Sequence, residues 1–103
     1  MARELDHQKI DDLLHSRIRF AIMVALATVD EIDFLTLLGE VNTTKGNLSV
    51  HLTKLEEAKY VKIIKKFVGK KPLTICKITS KGTKALEDYL NMIEQFAKIA
   101  KSK

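Results

Sequence analysis

Residues 43–82 read TTKGNLSVHLTKLEEAKYVKIIKKFVGKKPLTICKITSKG, and the apolar period changes once within them. From Thr44 to Ala58, the residues Leu48, Leu52 and Leu55 recur at three- and four-residue spacing in a stripe closed by Ala58. That pattern predicts an amphipathic helix with Thr44 as its N-cap. After Lys59 the period falls from about 3.6 to 2. Val61, Ile63 and Lys65 lie on one side and Lys62, Ile64 and Lys66 on the other, giving a strand that reaches Val68. Gly69, Lys70, Lys71 and Pro72 supply a turn, and Leu73 to Thr79 a returning strand. The stretch thus reads as a helix followed by a β-hairpin with a lysine-rich tip.

Toward the amino terminus, Leu13, Leu14, Ile18, Ala21, Ile22, Ala25 and Leu26 keep helical spacing. They predict one helix from Asp11 to about Val29, with Asp11 and Asp12 suited to its first turn. Asp30 to Phe34 is short and mixed. Leu35, Leu37, Leu38 and Val41 then predict a second helix, ended by Asn42, Thr43 and Thr44. Toward the carboxyl terminus, Thr79 or Ser80 caps a last helix in which Leu86, Tyr89, Leu90, Ile93, Phe96, Ala97 and Ala100 share a face. A helix over residues 81–100 is about 30 Å long at ~1.5 Å per residue, too long to lie wholly on so small a core. The fold class is therefore mainly α with a small β-hairpin, a single domain over 1–103 with its core at about 13–82.

Charge is distributed unevenly. Residues 1–43 hold four cations and eight acids, residues 44–84 eleven and two, and residues 85–103 three of each. The formal charge of +5 thus hides one strongly basic segment on an acidic or neutral scaffold, the distribution suited to a polyanion. No apolar run approaches the ~20 residues that cross a membrane, and Met1 to Asp12 has no apolar core of a signal peptide. The lone cysteine, Cys76, has no second thiol to pair with. These features point to a cytoplasmic protein without cofactor or membrane partner.

Three helices and a hairpin in this order describe a winged helix-turn-helix, in which the third helix enters the DNA major groove. The outward positions of that helix are Thr44, Lys45, Asn47, Ser49, Val50, Thr53 and Lys54. Asn47 suits an adenine edge, Val50 a thymine methyl, and Lys45 or Lys54 a phosphate or guanine. Gly46 in the first turn lets a phosphate approach the backbone. Lys65, Lys66, Lys70 and Lys71 place the hairpin on the flanking DNA backbone or in the minor groove.

The order LHSRIRFAIMVAL, FLTLLGEV, TTKGNLSVHLTKLEEAKYV, a basic wing and KITSKGTKAL resembles the small winged-helix regulators of the MarR and ArsR type, above all their minimal single-domain relatives in archaea and bacteria. The resemblance covers roughly residues 15–90. Its most specific parts are Leu48-Ser49-x-His51-Leu52-x-x-Leu55-Glu56-x-Ala58 and Thr79-x-x-Gly82. It implies that Asn47, Ser49 and His51 lie at or near the DNA face, that the hairpin is the wing, and that the terminal helices dimerise. Leu5, Ile10, Leu90, Ile93, Phe96, Ala97 and Ala100 are the candidate dimer contacts. Lys59 departs from the glycine usual after the recognition helix, which implies a different helix end. The paired cysteines of metal-sensing relatives are absent. No motif identifies a small-molecule effector.

The expected function is a double-stranded DNA-binding transcriptional regulator, a homodimer and a repressor on a palindromic site. Two other readings are a winged-helix module that docks on a protein of the transcription machinery and a nonspecific architectural DNA binder. The first calls for an apolar patch on the third helix, where only Val50 stands outward. A bland origin for the wing lysines is a solvated face, and for His51 a half-buried place between helix and core. His7, His15 and His51 lack ligand spacing, Glu56 and Glu57 diverge by about 100° on a helix, and no nucleophile elbow or phosphate loop occurs. An enzyme is not indicated.

Overall fold

Ser16, not Asp11, starts the first long helix. In the computed structural model, which describes residues 5–103, helix α1 spans Arg17–Ala27 and the Ser16 hydroxyl oxygen accepts the Arg19 amide. Met1 to Glu4 of the amino-terminal segment lie outside the described residues. The expected start at Asp11 is corrected by that residue's own carboxylate. Its Oδ1 accepts the amides of Leu13 at 2.9 Å and Leu14 at 3.3 Å, closing a turn that competes with helix. Fully buried Leu14 pins this turn to the core, and Asp11 Oδ2 accepts the Tyr60 hydroxyl at 3.0 Å. Ahead of it, among the described residues, His7–Lys9 forms a short 3-10 turn.

The mixed piece after α1 contains a strand that periodicity did not reveal. Ile32–Asp33 forms β1, too short to show any alternation, and Asp33 then caps α2, Phe34–Val41. Its carboxylate accepts the Thr36 amide at 3.1 Å and the Thr36 hydroxyl at 2.6 Å. Those hydrogen bonds hold the Asp33 carboxyl below its usual range. Asn42 ends α2 in the left-handed conformation, φ 56°, which asparagine tolerates better than most residues.

Helix α3 spans Lys45–Glu57, with Thr44 as N-cap as the sequence predicts. Its end corrects the expectation for Lys59. This lysine takes the left-handed backbone that glycine would take, φ 65°. The Lys59 amide donates to the Glu56 carbonyl and the Tyr60 amide to the Leu55 carbonyl, both at 2.9 Å, the paired bonds of a Schellman C-cap. Lysine holds this geometry at a cost in backbone strain that glycine would not bear.

Strands β2, Val61–Val68, and β3, Lys71–Ile78, form the hairpin. The turn is shorter than expected: only Gly69 and Lys70 lie outside the ladder, and Val68 pairs with Lys71. Gly69 has φ 64° and Lys70 does not share it, the pattern of a type II′ turn. Pro72 is inside β3 opposite Phe67. Beside a two-residue turn this pair is a non-hydrogen-bonded one, so the missing N–H faces away from β2, where β1 does not reach. The sheet has the order β1-β3-β2, all antiparallel.

Thr79 caps α4, Ser80–Lys101, by accepting the Gly82 amide at 2.9 Å. The Thr79 hydroxyl donates to the Lys59 carbonyl at 2.7 Å, which ties this cap to the end of α3. One apolar cluster holds the layers together. Leu14, Ile22, Met23, Leu26, Leu37, Leu48, Leu55 and Cys76 are its fully buried side chains, joined by Val61, Leu86 and Tyr89. Leu86 and Tyr89 bury the first half of α4, and the rest runs past the body, giving extents of 61 × 24 × 21 Å. Among the described residues no helix is long and apolar enough to cross a membrane.

Candidate nucleic-acid interface

Three leucines orient α3. Leu48 and Leu55 are fully buried and Leu52 nearly so, each burial favouring the folded state by about 1.5–3 kcal/mol. With that stripe fixed, the sequence-predicted positions Thr44, Lys45, Asn47, Ser49, Val50, Thr53 and Lys54 are all exposed. Val50 leaves 54% of its surface to solvent, so the helix presents one apolar contact among polar ones. The Thr44 hydroxyl oxygen is engaged as the cap, accepting the Asn47 amide at 3.2 Å. The Thr53 hydroxyl donates to the Ser49 carbonyl at 2.9 Å and keeps its oxygen as an acceptor.

His51 is half-buried, and its position involves a residue that sequence reasoning missed. The Arg19 guanidinium lies 2.9 Å from His51 Nδ1 and also donates through Nε to the Leu13 carbonyl. Guanidinium is donor-only, so Nδ1 is the acceptor and the ring proton sits on Nε2. Burial first, then the charges of Arg19 and Lys54, lower the His51 pKa. The signal for Arg19 was a cation between Ile18 and Phe20, inside the first helix and followed by apolar residues from Phe20 to Ala27.

Cross-strand partners share a face of the hairpin. One face carries Val61–Ile78, Ile63–Cys76, Lys65–Thr74 and Phe67–Pro72; the other carries Lys62–Lys77, Ile64–Ile75, Lys66–Leu73 and Val68–Lys71. The four wing lysines therefore do not share a side: Lys65 is on the first, Lys66 and Lys71 on the second, and Lys70 in the turn. Lys65 and Thr74 line an open groove together with Ser49, Thr53 and Glu56 of α3, over Phe34, Leu52 and Ile63. Glu56 sets an acid in this groove, a place the sequence reading did not give it. Lys81 stands 5.8 Å from the centre of the Tyr60 ring, adding a cation at the wing root.

Cys76 is buried in the core, and burial pushes its thiol up to about 11, with Asp33 and Glu56 acting in the same direction. Among the described residues no three His, Cys, Asp or Glu side chains come together as metal ligands.

The candidate dimer residues fall in two groups. Ile10 is partly buried against the core, while Leu5 is 48% exposed. On α4, Leu90 and Ile93 are 39% and 38% exposed, Phe96 and Ala97 are half-buried, and Ala100 is exposed. Phe96 and Met92 line a shallow groove with Lys9, which brings the amino-terminal segment beside the outer part of α4.

Residues 18–97 match the family described as Winged helix DNA-binding domain. An uncharacterized protein of Methanocaldococcus jannaschii is 36% identical over 86 residues, which are 84% of this chain and 94% of that protein. The solved structure of a transcriptional regulator homologue from Pyrococcus horikoshii superposes with a TM-score of 0.81 at 25% identity, over 86% of this chain and 88% of that one. A MarR-family transcriptional regulator from Silicibacter pomeroyi has the same fold, with a TM-score of 0.65 at 16% identity over 87% of this chain and 60% of that one.

Proposed function

The chain belongs to the winged helix DNA-binding domain family, and from that premise we propose that this DNA-binding transcription regulator binds a palindromic duplex site as a homodimer and represses by occluding a promoter in the cytoplasm. It is a binding protein, not an enzyme. The observation that carries the reading is the pairing of α3, anchored by three buried leucines with its polar face outward, with a hairpin rich in lysine. Thr44, Lys45, Asn47, Ser49, Val50, His51, Thr53 and Lys54 are the proposed major-groove contacts. Lys65, Lys66, Lys70 and Lys71 are the proposed backbone contacts. The exposed Leu90 and Ile93 and the α4 end that runs past the body support dimerisation there, since an apolar stripe left in water favours a partner. A two-fold dimer sets its recognition helices about 34 Å apart, one turn of DNA.

The test is a mobility shift over a salt series. Binding weakens with salt, and Lys65→Ala or Lys70→Ala lowers the log–log slope by about 0.9 each. Asn47→Ala changes the sequences recovered from a random duplex library without moving that slope. Absent or salt-independent binding rejects the reading, and a monomer on the selected site rejects the dimer.

A further inference from the structure

Phe67 is the most exposed large apolar side chain among the described residues, at 72%. It sits one residue from the exposed end of β2, opposite Pro72, which is also exposed. A phenylalanine in water at a hairpin tip contributes nothing to the core. It lies outside the fold's apolar cluster, a flat ring on a strand whose backbone is fixed by pairing with β3.

The ring's side of the hairpin is informative. Phe67 and Pro72 continue the face that carries Ile63, Lys65 and Thr74, the hairpin residues lining the groove beside Ser49 and Thr53 of α3. The apolar pair therefore lies on the α3 side, beyond the groove. Around it, no acid occurs between Ala58 and Leu86, a stretch with nine lysines. Lysines along the hairpin, with the one groove acid, Glu56, set back on α3, and an apolar ring at the tip complement a polyanion that has an apolar stack inside it.

We propose that Phe67, backed by Pro72, is a minor-groove wedge that enters a base step next to the recognition site and partly unstacks it, bending the duplex. The proposal rests on the duplex-DNA reading above and adds a contact that is not electrostatic. Side chains of this kind kink DNA most readily at pyrimidine–purine steps, so TA and CA steps are favoured at the wing position even though no side chain reads their edges.

The protein has no tryptophan, which makes Phe67→Trp a single optical probe at the tip. Random-sequence duplex DNA is the ligand, and Val68→Trp, one residue away on the opposite face, is the control. On saturation with duplex, Phe67→Trp loses its emission by stacking and becomes shielded from iodide, while Val68→Trp keeps both. Phe67→Ala weakens binding about tenfold with an unchanged salt slope, since no charge is removed, and it abolishes enrichment of TA and CA steps in a selection. Its exposure leaves the melting temperature unchanged. Equal quenching of the two tryptophans, or a Phe67→Ala protein that binds as tightly as the parent, overturns the wedge while leaving the DNA reading intact. Failure of the unmodified chain to bind duplex at all overturns both. Quenching of Phe67→Trp by mixed phosphatidylserine–phosphatidylcholine vesicles, and not by duplex, overturns the wedge in favour of a lipid surface.

Discussion

Gly82 and Tyr60 approach so closely that no side chain fits between them. A Cβ at position 82 would lie 2.1 Å from the Tyr60 carbonyl oxygen and 2.9 Å from its carbonyl carbon. The same oxygen accepts the Thr79 amide at 3.0 Å and the Thr79 hydroxyl at 3.1 Å. The start of α4 is thus pressed against the residue that joins α3 to the wing, and the close contact is with backbone that has no freedom to swing aside.

Gly82→Ala accordingly destabilises the fold. Alanine improves helix propensity by about 1 kcal/mol, but overpacking against fixed backbone costs about 2–3 kcal/mol, and a net loss of about 1–2 kcal/mol is expected. Urea unfolding measures it as a lower midpoint at constant slope. A midpoint equal to or above the parent's contradicts the packing described.

Lys59→Gly has the opposite sign. The lysine holds a left-handed backbone conformation, φ 65°, that costs a residue with a Cβ about 1–2 kcal/mol. Glycine removes that strain but adds unfolded-state entropy, so a gain of about 1 kcal/mol is expected in the same urea experiment. Unchanged stability shows that the lysine side chain has an offsetting contact.

Protonation of His51 opposes folding. Its pKa in the folded chain is below 6.5, so the unfolded chain binds more protons and stability rises with pH. Full stability is present above 6.5 and declines as pH falls below it toward the folded value. Denaturation midpoints taken from about pH 7.5 to about pH 5 should show that decline, reduced in His51→Gln, whose amide oxygen still accepts from Arg19. An identical decline in the variant assigns the effect to other groups.

The Cys76 thiol, raised to about 11 and with no exposed surface, is protonated and shielded at neutral pH. A thiol reagent should label it only at the rate of opening of the core, so labelling and unfolding followed by circular dichroism coincide across a denaturant series. Rapid labelling of native protein is the contrary outcome.

The parts legible from sequence were those with enough turns or alternations to set a period. Leu48, Leu52 and Leu55 announced α3, the Val61–Ile63 alternation announced β2, and Leu86 with Tyr89 announced the inner half of α4. What escaped were local side-chain decisions. Asp11 folds back on Leu13 and Leu14 and delays α1, and Ile32 with Asp33 is too short to carry any periodicity until β3 is there to pair with it. The outward positions of α3 follow from its stripe, whereas the Arg19–His51 contact joins residues thirty-two apart and needs the tertiary fold. Glu56 joins the groove for the same reason: only the fold brings it near Lys65.

The lysines from Lys59 to Lys81 have a consequence for the protein alone. Among the described residues none of them is in an ion pair; the nearest pair, Lys84 with Asp88, is an exposed one on α4. The free molecule is then a folded polycation whose own repulsion works against its compactness, strongest where counterions are scarce. Added salt should therefore raise its melting temperature while weakening its hold on a polyanion. Two opposite responses to one variable would arise from the same cluster, and an anion bound there is in effect part of what keeps the hairpin folded.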